Sequence, residues 1–137
     1  MYSLERRRER YLILYVYKII QGIVPNFEDE RFRIKTVNSE RRGLSCVIPP
    51  IRTQATSRIK STVEQSFAVR GPTLFNSIPR ALRGGHLRFE TFKAQLDIVL
   101  GKVADTPSTG NMKPRAGTNS LIDQFNLMKR DGSYYDL

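Results

Sequence analysis

The chain has no tryptophan, a single cysteine (Cys46) and a single histidine (His86) among 137 residues. One cysteine excludes an intramolecular disulfide, and one Cys with one His leaves too few ligands for a zinc knuckle. Nucleophilic triads have equally little material. No two aspartates are adjacent anywhere in the sequence, so the carboxylate pair with which nucleotidyl-transfer enzymes hold catalytic metals is missing. No G-x-x-x-x-G-K-[ST] loop is present to cradle phosphates. These absences predict a chain with no catalytic group of its own, no cofactor, no metal and no small-molecule substrate. Cys46 falls in an apolar alternation and reads as a buried, inert thiol. His86 follows Gly84 and Gly85 and reads as an exposed loop histidine.

Long hydrophobic runs are also lacking. Arg6, Arg7, Arg8 and Arg10 precede an apolar stretch from Tyr11 to Tyr17, which imitates a secretory signal. Glu5 and Glu9 dilute the positive region, Lys18 interrupts the apolar one, and no A-x-A-like cleavage site follows. The run is far short of the ~20 apolar residues of a membrane span. The expectation is an intracellular protein, nuclear or cytoplasmic, neither secreted nor membrane-bound.

Acidic residues are scarce: 13, against 23 Lys and Arg, for a net charge of +10. The excess lies before Ala104, where 19 basic residues face 9 acidic ones; beyond it the two signs balance. A basic domain attracts polyanions, nucleic acid being the commonest. A solvated basic surface with no dedicated partner is the alternative that charge alone leaves open. The candidate phosphate contacts fall in three segments: Arg6, Arg7, Arg8 and Arg10; Arg41 and Arg42; Arg52, Arg58 and Lys60. Few aromatics interleave them, and Tyr11, Tyr15 and Tyr17 are spaced for helix packing, so base stacking on exposed rings is not the expected mode.

Ser3 caps a predicted helix running to about Gln21, with Gly22 and Pro25 as stop signals. Leu12, Val16, Ile19 and Ile23 form one stripe, widened by Ile13, Tyr17 and Ile20, with Leu14 and Tyr15 nearly opposite. A helix apolar on most of its circumference needs cover on more than one side, which points to a neighbour outside the chain. Four arginines at the positive end of the helix dipole ask for upstream helix or an anion, the alternative being a frayed, solvated first turn whose charges are screened. Residues 26–42 read as a loop. Gly43 to Ile48 alternates and forms a candidate strand ended by Pro49-Pro50; Val63 to Val69 is a second, able to pair with it as a hairpin. Gly71-Pro72 opens a short helix with Leu74, Phe75 and Ile78 on its apolar side. Pro79 stops that helix and starts a turn, which Gly84-Gly85 breaks. Phe89, Phe92, Leu96, Val99, Leu100 and Val103 share one helical face, behind a poor cap at Arg88. From Asp105 to Thr118 the composition predicts flexibility, followed by a marginal short helix over 119–127 and a disordered end.

Four blocks resemble, in order, the post-polymerase segment of non-LTR (LINE-type, Jockey-like) retrotransposon reverse transcriptases. The first runs from Tyr2 to Tyr15, with Glu5-Arg6-Arg7-Arg8-Glu9-Arg10 at its centre, and continues from Lys18 to Asn26. The second is Gly43 to Pro50. The third, Ser66-Phe67-Ala68-Val69-Arg70-Gly71-Pro72-Thr73-Leu74-Phe75-Asn76-Ser77-Ile78-Pro79, is similar to the family's signature of serine, phenylalanine, arginine, then phenylalanine or tryptophan, asparagine, any residue, leucine or isoleucine, proline. The fourth, Phe92 to Asp97, resembles its closing helix, and Asn119 to Gln124 is a weaker match. Arg88 stands where the family usually has serine.

The resemblance implies a segment that follows a polymerase and an endonuclease and helps hold template RNA or primed target DNA. The catalytic residues of those parts would lie outside this chain. The expected architecture is α+β: a long N-terminal helix, a short β-hairpin, short helices and a C-terminal amphipathic helix over residues 1–103, then a flexible tail over 104–137. The expected role is nucleic-acid binding through phosphates by a catalytically incomplete fragment. The alternative is a protein-interaction fragment that packs on the polymerase core and binds no nucleic acid by itself.

Overall fold

The computed structural model describes residues 2–29, 33–39, 43–48, 66–105 and 119–137. Its class is α+β. Helix α1 spans Leu4–Ile20, strands β1 Thr36–Ser39 and β2 Gly43–Cys46 form an antiparallel hairpin, and helix α2 spans Phe67–Ser77. A 3-10 turn follows at Arg80–Leu82, then helices α3 Phe89–Gly101 and α4 Leu121–Asp131, and a closing 3-10 turn at Ser133–Asp136.

The ends of α1 follow its sequence signals. The Ser3 hydroxyl accepts from the Arg6 N–H at 3.2 Å, and Gly22 takes the left-handed conformation at φ 75° after the last turn. The anion that the arginine-rich start asks for comes from the chain itself: the Asp105 carboxylate accepts from the Ser3 N–H and from the Ser3 hydroxyl, each at 2.7 Å. Most of the apolar circumference is also covered internally. Ile13, Leu14, Val16, Tyr17 and Ile19 are all buried, and the Tyr17 ring lies on Phe92 of α3 at 3.8 Å between centroids. Leu4, Tyr11 and Ile23 remain outside, at 56%, 63% and 56% exposure.

The hairpin partner and the second candidate strand differ from expectation. The strand paired with β2 comes from the polar 26–42 stretch, with Thr36 opposite Cys46 and Ser39 opposite Gly43. Residues 63–65 of the other candidate lie outside the described residues, and from Phe67 onward it is helix. Phe67, Gly71, Leu74, Phe75 and Ile78 recur at helical spacing, and this longer period outweighs a period-2 match over a few residues. Helix α2 therefore starts earlier than Pro72, which stands inside it. Gly71 explains the close approach of α2 to α1: a Cβ there would lie 3.0 Å from Val16 Cγ2 and 3.3 Å from Phe67 Cε2.

The ladder bond from Val47 N–H to Lys35 O at 2.8 Å fixes the pairing phase. Odd-numbered residues of β2 bond to β1, so the N–H and C=O of Leu44 and Cys46 point away from it. Both are met. Leu44 donates to Arg83 O at 2.9 Å and its carbonyl accepts from the Arg83 guanidinium at 3.1 Å. Cys46 exchanges two bonds with the Asn76 side chain. The strand edge is thus closed against further pairing.

The largest correction concerns the tail. Packing does not stop at Val103: Leu121, Phe125 and Tyr134 are buried at 0%, 1% and 9% exposure and belong to the same core as Ile13 and Phe92. Helix α4 is longer than the 119–127 expected and carries the core onward. Tyr134 fixes the closing turn by donating to Ser77 O of α2 at 2.9 Å and by packing edge-on against Phe125. Among the described residues no helix is long and apolar enough to cross a membrane.

Candidate nucleic-acid interface

The four arginines of the first cluster do not share a face. At 3.6 residues per turn, positions 6 and 10 fall together, with 7 and 8 turned away. Arg6 points inward and is fully buried. Its guanidinium donates to Ala104 O at 3.0 Å and to Asn119 O at 3.2 Å. Its Nε lies 3.9 Å from Glu9 Oε1, near enough for charge attraction but too far for a hydrogen bond. Arg10 makes a bidentate pair with Asp97 at 2.7 and 3.1 Å, and this hydrogen bonding raises its pKa. The expectation that Arg6 and Arg10 present free charge to phosphate is therefore corrected: one is enclosed in the core and the other is neutralised by α3.

Glu9 is the second buried charge. Both its oxygens accept from the Leu121 N–H, at 3.1 and 2.9 Å, and Arg70 donates to it at 3.1 Å. The carboxylate of α1 thus caps α4, whose own N-cap Ser120 makes no side-chain cap bond. Burial pushes the Glu9 pKa up, opposed by the Leu121 N–H and the charges of Arg70 and Arg6. Arg70 also donates to the Ser120 hydroxyl at 3.2 Å. This node joins three helices, α1, α2 and α4.

Arg7 and Arg8 are exposed. With Leu4, Tyr11 and Leu12 they line a shallow depression of about 430 Å³ on the outer side of α1. Arg41, Arg42, Arg52, Arg58 and Lys60 lie outside the described residues.

A second basic surface escaped the sequence reading. A cleft of about 640 Å³ opens between the end of α2, the Arg80–Leu82 turn, the end of α4 and the closing turn. Asn76, Arg80, Arg83, Lys129, Tyr134 and Tyr135 line it. Arg80 and Arg83 share a side because residues three apart eclipse in a 3-10 turn. That signal was present after Pro79. Lys129 and the tyrosines arrive only because the C-terminal segment docks. Lys129 Nζ sits 4.7 Å over the Tyr134 ring. Arg83 donates to Ile78 O at 3.0 Å as well as to Leu44 O. Burial lowers its pKa; the Tyr134 phenol opposes that and the neighbouring Arg80 adds to it. Burial raises the Tyr134 pKa, against the pull of Arg83. Among the described residues no Asp or Glu side chain lines the cleft, and Pro79, Ala81 and Leu137 complete its lining.

Cys46 is buried, and desolvation pushes its pKa up to about 12, so it is a poor nucleophile at neutral pH. His86 is exposed. Among the described residues no three His, Cys, Asp or Glu side chains cluster as metal ligands. The arrangement offers cations and rings for binding. No family model, curated protein or solved structure matches the chain.

Proposed function

We propose that this chain is a catalytically incomplete segment of a non-LTR reverse transcriptase that binds template RNA or target DNA through phosphates. The observation that carries the binding role is the cleft, where Arg80, Arg83 and Lys129 converge from separate parts of the sequence, with no Asp or Glu side chain among the described residues that line it. Arg7 and Arg8 add exposed positive charge on α1. The family attribution rests on the ordered resemblance of the sequence blocks. Several residues that carry it are ones the fold uses: Arg70 holds Glu9, Asn76 holds Cys46, and Ile78 leaves the helix before Pro79.

The test is a gel shift or anisotropy titration of the chain with labelled RNA and DNA at several salt concentrations. Electrostatic binding predicts a linear fall of log affinity with log salt, with a slope of about −0.7 per phosphate for single strands and −0.9 for duplex. Absence of binding at low salt would remove the reading. Primer extension with Mg²⁺ or Mn²⁺ is expected to give no product, and extension above a mock preparation would overturn the non-catalytic assignment.

A second reading has its own observation. Leu4 and Tyr11 are more than half exposed beside Leu12, an apolar surface suited to packing on a polymerase core. A chain that binds such a core in a pull-down, and no nucleic acid, would favour it.

A further inference from the structure

We propose that the cleft bounded by Arg80, Lys129 and Tyr135 takes a single-stranded segment of nucleic acid, with one base stacked on the Tyr135 ring and the adjoining phosphate between the two cations. This rests on the nucleic-acid reading above and assigns it a strand type and a seat.

The first ground is Tyr135. It is 74% exposed, the most exposed of the large hydrophobic side chains described. It meets Tyr134 edge-on, with centroids 5.4 Å apart and planes at 90°. An edge-on contact leaves the ring faces of one partner uncovered, and a base can stack on such a face whatever its identity. The second ground is the position of the charges. Lys129, itself exposed, is held over Tyr134, while Arg80 is exposed on the opposite element. Arg83, bonded to two carbonyls, forms a fixed positive floor.

The third ground is size. A concavity of about 640 Å³ falls within the roughly 300–1,000 Å³ that hold small-ligand-sized groups, which suits a nucleotide and not the full width of a duplex. A duplex also keeps its base faces inside its own stack, leaving Tyr135 nothing to cover. An acidic peptide could neutralise the cations but would make no use of the ring.

The experiment uses the full chain and three labelled probes: oligouridylate RNA, oligothymidylate DNA, and a duplex of the same length. Tyr135→Ala is expected to weaken both single strands by about 5- to 100-fold and to leave duplex binding within about twofold, a size of effect set by the absence of stacking. Tyr135→Phe should retain the wild-type affinity. The double variant Arg80→Gln, Lys129→Gln should flatten the single-strand salt slope by roughly 0.7, from the one phosphate held between them. Circular dichroism of each variant checks the fold, which an exposed ring should not disturb.

If the wild type binds and neither variant changes single-strand affinity, the cleft assignment is overturned while nucleic-acid binding stands. If the wild type binds none of the probes, both fall. Equal displacement of the strand by polyglutamate at matched ionic strength, with Tyr135→Ala silent, would assign the cleft to acidic protein. Uridine monophosphate binding as tightly as the oligomer would make it a free-nucleotide site and overturn the strand proposal.

Discussion

Asn76 and Cys46 exchange two hydrogen bonds across 30 residues of sequence: the Cys46 N–H donates to Asn76 Oδ1 at 2.7 Å, and Asn76 Nδ2 donates to Cys46 O at 2.9 Å. A primary amide is the side chain that can act as donor and acceptor at one end, so it mimics the next strand of the sheet. Helix α2 thereby holds the outer edge of β2. Asn76→Ala leaves both backbone groups without partners and should lower stability by about 1–3 kcal/mol. Urea unfolding reads this as a lower midpoint at an unchanged slope; an unchanged midpoint would mean that water replaces the amide at no cost.

The same substitution should alter the chemistry of the thiol. Burial holds the Cys46 pKa up at about 12, so alkylation of the folded chain at neutral pH should be much slower than that of a free cysteine. The rate should rise with urea as the chain opens, and rise earlier in Asn76→Ala. Rapid labelling of the native protein would place Cys46 on the surface.

Phe125 and Leu121 are as buried as the residues of α1. Phe125→Ala should therefore cost about 3–5 kcal/mol, the range for an emptied aromatic site in a core. Limited proteolysis should protect the segment from Asn119 to Tyr134 for as long as Phe92. Early loss of that segment, with the rest still folded, would restore the dispensable tail that composition suggested.

Two carboxylates should give opposite pH responses. Burial raises the Glu9 pKa, so its contribution to stability is complete below the ordinary glutamate range and declines as pH rises through the folded value. Glu9→Gln keeps an acceptor for Leu121 and cannot ionise; its stability relative to wild type should improve as pH rises across that window. At Asp105 desolvation pushes the pKa up, but hydrogen bonds from the Ser3 N–H, Asn119 and the Ser3 hydroxyl, with the Arg6 charge, outweigh it and lower the net value. Its contribution is present above the ordinary aspartate range and is lost as pH falls through the folded value. Asp105→Asn should thus lose its disadvantage in acid. Parallel pH profiles for the two variants would refute this assignment.

Within the first arginine cluster the variants should separate. Arg7→Gln with Arg8→Gln should leave the circular dichroism unchanged, since Gln and Arg have similar helix propensity, and should flatten a single-strand salt slope by roughly 1.4 if both touch phosphate. Arg6→Gln should lower stability by on the order of 2 kcal/mol, because the Ala104 and Asn119 carbonyls lose their buried donor. A loss of binding slope from Arg6→Gln without a loss of stability would place Arg6 on the surface.

What the sequence determined by itself is local. Ser3 and Gly22 bound α1, Pro79 ends α2, Gly84-Gly85 separates the turn from α3, and the spacing from Phe89 to Val103 sets the buried face of α3. Each signal acts within a few residues, through caps, fixed backbone angles or helical period. The tertiary structure decided what depends on distant partners. Arg6 turns inward because carbonyls of Ala104 and Asn119, 98 and 113 residues away, receive it. The marginal segment after Asn119 becomes a full helix because Glu9 of α1 caps it and the core accepts Phe125. A polar stretch becomes β1 because β2 has one edge to fill, and Lys129 and Tyr135 reach Arg80 only when that last helix docks. Local propensities cannot register these contacts, because a short apolar or charged run has no fixed role until burial chooses its partner.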